Sequence, residues 1–471
     1  MEVLGQRGRV ALWLGPLFFL GFLLWPAPEG LPAAAWWTAG AALLMATWWI
    51  GESIPIPATS LVPLVVFPLI GAGTIRETAA PYADPIIFLF LGGFLIALAM
   101  ERSGLHRRIA LNIIQRSGTG GRALVGGFMV AAAALSMWVS NTATSLMMLP
   151  VALSVAQVAD DDSGKLGLAL LLGLAYGCNI GGMGTLVGTP PNALMVGFLE
   201  QEYGIAISFV NWLGVGLPVV LLGLPLTYFV LTRVAVRVPR GGQEEAARTV
   251  ADELAGMEAM TRGERRVAMV FAGTALLWIT RPLLSSVIPG LSDAGIAMTG
   301  GLALFLIPRG EGGALLDWNT AKGLPWGALI LFGGGLSLAG AFTRTGLSEG
   351  IGQTLAAVGA LPQILILALL VALVIFLTEL TSNAATTATM LPVLAAMAIG
   401  IGQSPLLLAV PAVLAASCAF MLPVATPPNA IVFGSGKVSV PQMARAGIWL
   451  NLGFIVLITA LTYALVERVL V

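Results

Sequence analysis

The sequence predicts an all-α integral membrane protein: about 11 transmembrane helices in two inverted repeats, each with a re-entrant hairpin and a broken helix. Three observations predict it. The 471 residues are 58% apolar and 10% charged, with mean hydropathy +0.93, more hydrocarbon than a soluble globule can hide from water. The apolar residues gather into stretches of about 20, the length of a helical bilayer crossing. The chain also matches itself, motif after motif, at an offset of 242 residues.

Crossings fall near 10–25, 34–50, 55–71, 85–101, 167–198, 207–232, 266–289, 295–308, 325–343, 406–433 and 446–466. Two further apolar stretches, near 122–158 and 358–401, are split by polar tips and read as hairpins that return to the side they entered. Arg7, Arg9, an apolar run and Ala33-Ala34-Ala35 contain the parts of a signal peptide. That run passes straight into further spans, so it reads as an uncleaved first helix. With a cytoplasmic N-terminus, nineteen of the 23 Lys and Arg lie inside; only Arg76, Arg281, Arg344 and Arg468 lie outside. The positive-inside rule favours this orientation, and the short loops suit a bacterial inner membrane.

The domains expected are 1–84, N-terminal scaffold spans; 85–232, the first repeat core, with its tip at 140–142 and break at 188–192; 233–265, a solvated amphipathic cytoplasmic linker; and 266–471, the second repeat, with its tip at 382–384 and break at 425–429. The repeat is visible residue by residue. Arg102-Ser103-Gly104-Leu105 falls on Arg344-Thr345-Gly346-Leu347, and Ser140-Asn141-Thr142-Ala143-Thr144 on Ser382-Asn383-Ala384-Ala385-Thr386. At an offset of 237, Thr189-Pro190-Pro191-Asn192-Ala193 matches Thr426-Pro427-Pro428-Asn429-Ala430. The first hairpin follows the fourth crossing and the second the ninth, so they enter from opposite sides. That inverted arrangement lets a carrier open one face while closing the other.

Ser and Asn at each tip are poor inside helices but good N-caps, so each tip starts a returning helix. Two helix N-termini then aim their free N–H groups at one place, which suits an anion. The double prolines remove backbone donors within apolar segments. Unwound backbone at membrane depth is tolerated where it lines a cavity. The carbonyls near Gly188 and Ala425, with the carboxamides of Asn141 and Asn383, are hard oxygen ligands for a small alkali cation. No Arg, Lys or His sits in either tip or break, so a bound dianion needs co-bound sodium to offset its charge. Glu379, beside the second tip, reads as a brace for the hairpin rather than a proton carrier.

Other functions are excluded. Lys+Arg and Asp+Glu balance at 23 each, leaving no surplus for nucleic acid. One histidine (His106) and two distant cysteines (Cys178, Cys418) supply neither a transition-metal site nor a disulfide framework. Gly434-Ser435-Gly436-Lys437-Val438 lacks the first glycine and the final hydroxyl of a phosphate loop. With no nucleophile–base pair, no enzyme is expected.

The stretch Ala416-Ser417-Cys418-Ala419-Phe420-Met421-Leu422-Pro423-Val424-Ala425-Thr426-Pro427-Pro428-Asn429-Ala430-Ile431-Val432 resembles the signature of the divalent anion–sodium symporters, carriers of dicarboxylates, citrate or sulfate. The paired tips and paired Thr-Pro-Pro-Asn breaks are similar to that family's other hallmarks. The resemblance implies a homodimer working by an elevator-type alternation of access, with sodium co-transported and no organic cofactor. It implies one sodium site at Ser140 and Asn141, with backbone near Ser136 and Gly188. A second would use Asn383, with backbone near Thr378, Thr381 and Ala425. The anion would touch Ser140, Asn141, Thr142, Ser382 and Asn383, with Thr189, Thr426 and Pro427 nearby. Ala384 departs from the pattern, since dicarboxylate carriers of the family often have a hydroxyl residue there. The function implied is sodium-coupled import of a small divalent anion, a C4-dicarboxylate such as succinate first, with citrate, sulfate or sodium-independent exchange as alternatives.

Overall fold

The computed structural model describes residues 6–158, 164–238, 243–310 and 312–470. The described residues fold into helices, with no β-strand beyond one isolated bridge between Pro308 and Ala314. Helices α1 (Gln6–Leu24) and α2 (Ala33–Gly51) pack side by side. Prolines at 55, 57, 63 and 68 keep the next two short, α3 (Ile56–Thr59) and α4 (Val62–Leu69). A Thr74–Glu77 capping box opens α5 (Ile75–Ala79), which leads through a 3₁₀ turn to α6 (Pro85–Ser103). Gly104, at φ 78°, turns the chain into the amphipathic α7 (Leu105–Arg116).

The first hairpin is α8 (Gly121–Ser136) and α9 (Asn141–Val158); the first broken helix is α10 (Lys165–Gly182) and α11 (Pro190–Tyr203). There follow α12 (Phe209–Phe229), α13 (Glu244–Ala255), α14 (Arg262–Leu284), α15 (Asp293–Leu306), α16 (Trp318–Ala321) and α17 (Trp326–Thr345). Next comes α18 (Leu347–Leu355), which turns by 119° into α19 (Gln363–Thr378). The second hairpin pairs α19 with α20 (Asn383–Gly400), and the second broken helix is α21 (Leu406–Ala416) and α22 (Pro427–Gly434). The long α23 (Val440–Val469) closes the chain.

Eight of the described helices are long and apolar enough to cross a membrane, or nine if α18 and α19 make one span. The eight take in the returning hairpin arms α9 and α20, which the expected 11 leave out, and omit α2, so the two counts cover different elements. Stretches 8–24, 56–69 and 293–306 are apolar but short. The spans read at 167–198 and 406–433 are interrupted over 183–189 and 417–426.

Packing interleaves the two halves. Each returning arm lies against the post-break helix of the other half, α9 on α22 and α20 on α11. Leading arms pack on the pre-break helices of their own half, α8 on α10 and α19 on α21. Glycine sets the closeness of the first of these contacts. A Cβ on Gly181 would sit 2.3 Å from the Ala133 carbonyl oxygen, so the helices meet backbone to backbone.

Within the amphipathic stretch 233–265, α13 turns one face inward, burying Ala246 and Val250 and packing on α7 and α9. Arg107 pairs with Glu253, and Arg108 donates to Glu264 at 2.9 Å and to the Glu258 carbonyl at 2.7 Å. Its apolar positions recur at helical spacing, so it has a face to bury. Residues 239–242, including the Arg240 counted among the inside charges, lie outside the described residues.

Candidate functional site

Each hairpin tip is tied by a hydroxyl–carboxamide bond. Ser136, at the end of α8, donates to the Asn141 Oδ1 that opens α9. At the positions 242 residues later, the Thr378 hydroxyl lies 2.9 Å from Asn383 Oδ1 and 2.8 Å from the Ala416 carbonyl. The bond fixes which way each carboxamide oxygen faces while leaving it a second lone pair. Ser140 caps α9, accepting from the Ala143 amide at 3.2 Å. Ser382 occupies the same place before α20 but its side chain makes no cap bond, leaving that hydroxyl available.

In the breaks, the prolines act differently from the sequence expectation. Pro190 and Pro427 are the first residues of α11 and α22, with Thr189 and Thr426 at the N-cap. They begin helices, the one place where a missing N–H costs nothing. The unwound backbone lies upstream and is held by asparagine. Asn192 Nδ2 donates to the carbonyls of Gly182 (3.2 Å) and Thr185 (2.7 Å). Asn429 Nδ2 donates to those of Ala419 (3.0 Å) and Leu422 (3.1 Å), the matching positions at the 237 offset. Asn179 joins the halves by donating to the Ala419 carbonyl, Thr426 Oγ1 and Asn429 Oδ1.

Each break is also fastened to its own tip. The Thr185 hydroxyl donates to the Met137 carbonyl in the first half. In the second, Glu379 accepts from the amides of Phe420 (2.8 Å), Met421 (2.9 Å) and Leu422 (3.1 Å), and from Asn451 Nδ2 (2.9 Å). Glu379 thus accepts backbone hydrogen bonds, as a brace would, but from the unwound segment. Asn429 is fully buried within this network. Asn429→Ala is expected to lower stability by about 1–3 kcal/mol, because the Leu422 carbonyl, the Ala419 carbonyl and the Asn179 amide each lose one of their partners. Thermal unfolding of the purified protein checks this.

The tips and breaks open onto one cavity of about 560 Å³, within the roughly 300–1,000 Å³ usual for small-molecule sites. Of the residues expected to bind the anion, all eight line it: Ser140, Asn141, Thr142, Thr189, Ser382, Asn383, Thr426 and Pro427. Gly188 and Ala425 line it as well, whereas Ser136, Thr378 and Thr381 stand behind the wall. Thr381 is turned elsewhere, donating to Leu377 O and lying 2.5 Å from the Thr386 hydroxyl. Asn141 and Gly188 converge on Gly182: a Cβ there would lie 3.1 Å from both Asn141 Oδ1 and the Gly188 carbonyl oxygen. A side chain at position 182 would crowd both oxygens.

Four helix N-termini, those of α9, α11, α20 and α22, reach the cavity. Each carries about half a positive charge, so the wall is electropositive without a cationic side chain. Sequence analysis anticipated two of the four; Pro at N1 after Thr was the signal for the others. It also missed the opposite wall, where Glu52, Ile56, Phe94, Pro325 and Ala328 come from outside the repeated motifs. Among the described lining residues Glu52 alone is ionisable. It sits at φ 48° as the C-cap of α2, a conformation costly for a side chain with a Cβ. An acidic residue between two apolar stretches could have marked it.

Comparison with known proteins agrees with this geometry. Residues 9–470 match the family described as the sodium:sulfate symporter transmembrane region. The chain is 42% identical over 480 residues to the sodium-dependent dicarboxylate transporter SdcS of Staphylococcus saprophyticus, covering 98% of this chain and 92% of that one. It is equally similar over 481 residues, with the same coverage, to SdcS of Staphylococcus aureus strain USA300. Two solved structures share the fold. The Alcanivorax borkumensis YdaH transporter has TM-score 0.62 at 16% identity, over 89% of this chain and 97% of that one. Neisseria gonorrhoeae MtrF has TM-score 0.59 at 13% identity, over 99% and 96%. The chain belongs to the sodium:sulfate symporter family and is a multi-pass membrane transporter, not an enzyme.

Proposed function

We propose that this member of the sodium:sulfate symporter family imports a C4-dicarboxylate such as succinate, coupled to sodium, across a bacterial inner membrane. The observation that carries the reading is the cavity itself. Four helix N-termini and a set of hydroxyls face it, no cationic side chain lines it, and paired carboxamide and carbonyl oxygens stand at its edge. N-termini and hydroxyls suit carboxylates. The oxygens suit sodium, which supplies the charge that the protein withholds. The curated relatives, sodium-dependent dicarboxylate transporters by name, support the substrate class.

In this proposal Asn141, Ser140 and the Gly188 carbonyl hold one sodium ion, with Ser136 orienting the carboxamide. Asn383 and the Ala425 carbonyl hold the second, oriented by Thr378, while Thr381 stiffens the tip. The dianion lies between them against Thr142, Ser382, Thr189, Thr426 and Pro427. Sodium and anion neutralise one another, so a loaded cavity crosses more readily than a half-loaded one. The hairpins, breaks and their helices travel as one body against the wall of Glu52, Phe94 and Pro325, in an elevator-type cycle. A homodimer with cytoplasmic N-termini anchors the stationary part, and no nucleic acid or organic cofactor takes part.

Binding tests the assignment. Succinate should raise the unfolding temperature in sodium but not in potassium; stabilisation equal in both salts would favour a sodium-independent exchanger. Citrate and sulfate belong in the same titration, because Ala384 lines the cavity where a hydroxyl would add a donor. Ala384→Thr is expected to tighten succinate binding by roughly 0.5–1.5 kcal/mol. Weaker or unchanged binding would point to another anion. Glu52→Gln should lower the succinate concentration for half-maximal uptake about threefold to fivefold, since one negative charge facing the dianion is removed. Uptake kinetics in proteoliposomes measure it.

A further inference from the structure

A second concavity, of about 510 Å³, runs between α7–α8 and α12, away from the central cavity. Its polarity is graded. Arg116, Arg122 and Tyr228 stand at one end, while Val130 and Leu224 continue it along the two helices. Val130 is 48% exposed, and Leu221, Leu222 and Phe229 on α12 are exposed around it, so this face looks into the hydrocarbon. Arg122 uses its Nε on the Val238 carbonyl at 2.8 Å, and its terminal nitrogens make no hydrogen bond or ion pair among the described residues. Arg116 and the Tyr228 hydroxyl make no hydrogen bond or ion pair among the described residues. Gly126 lies on the floor beside the Tyr228 ring, where a Cβ would make ordinary van der Waals contact at 3.4 Å and a longer side chain would enter the trough.

We propose that this groove binds one anionic phospholipid, with its phosphate on Arg116 and Arg122 and an acyl chain along α8. The occupant follows from charge complementarity. Two guanidinium groups beside an apolar trough match a phosphate at the head of a hydrocarbon chain. A zwitterionic lipid brings its own ammonium, which competes with the arginines for that phosphate. Because α8 leads to the Ser136–Asn141 tip, a lipid seated there also buttresses the hairpin from the membrane side.

Native mass spectrometry of the full chain in detergent, titrated with phosphatidylglycerol or phosphatidylcholine, tests the site. One phosphatidylglycerol per protomer should bind about tenfold tighter than phosphatidylcholine. The preference should vanish in the double variant R116Q/R122Q and persist in R265Q, an exposed arginine outside the groove. Gly126→Leu fills the trough with both arginines intact and should also displace the lipid. On the unmodified protein, a photoactivatable phosphatidylglycerol should label segments 113–130 and 224–228. Equal binding of the two lipids, retention of the preference in R116Q/R122Q, or labelling only elsewhere would overturn the proposal.

Discussion

Asn383→Ala is expected to abolish sodium-driven uptake, and Asn141→Ala to do the same from the other half of the cavity. Each change removes the one carboxamide at its tip, whose oxygen is held in place by Thr378 or Ser136. In the proposed site that oxygen ligates sodium, and the amide next to it opens the helix that faces the anion. Losing a ligand to a charged partner costs about 1.5–3 kcal/mol, or roughly ten- to a hundredfold in sodium affinity. Because the anion depends on that charge, the loss compounds at the substrate. Labelled uptake in proteoliposomes, with circular dichroism to show intact helices, measures the effect. Near wild-type rates in both variants would remove these residues from the site.

Glu379→Ala is expected to be the most destabilising single change in the second half. Glu379 is 3% exposed, and its carboxylate accepts from three consecutive backbone amides and Asn451. Removing it leaves all four donors without a partner in a segment that has no helix ladder to fall back on. Stripping one member from a buried charged network costs about 3–5 kcal/mol. The protein should lose most of its folded yield or unfold at a much lower temperature. Glu379→Gln separates bracing from proton transfer. An amide keeps one acceptor oxygen but sets an NH2 against an N–H, so a brace weakens in stability. A proton carrier would instead lose its pH dependence with its stability intact. A Gln variant as stable as the parent would contradict the bracing role.

The site was legible in the sequence wherever function needed polar residues inside hydrocarbon. Ser140-Asn141-Thr142 and Ser382-Asn383 stand out against apolar runs, and their repetition at one offset paired them before any fold was known. All eight positions expected to face the anion line the same cavity. Repetition also explains what was misjudged. The double prolines in an apolar run mark unwound backbone, which does lie beside them, but their role as the first residues of α11 and α22 depends on the Thr before each pair. Asn192 and Asn429 lie inside the matched motif, yet their side chains turn back to carbonyls seven and ten residues earlier, a path that spacing does not reveal. Glu52, Phe94 and Pro325 carry no repeat and no motif. Only the folding of α2, α6 and the segment before α17 brings them to the cavity. The docked α13 was hidden for a similar reason, because a short amphipathic helix reads the same whether its face meets water or protein.

The most direct test of the account is labelled succinate uptake by the purified protein in proteoliposomes, under an inward sodium gradient and under an equal potassium gradient. The account predicts uptake that saturates with succinate and requires sodium, collapsing when the gradient is dissipated. Uptake of equal rate in potassium, driven only by anion preloaded inside the vesicles, would contradict it.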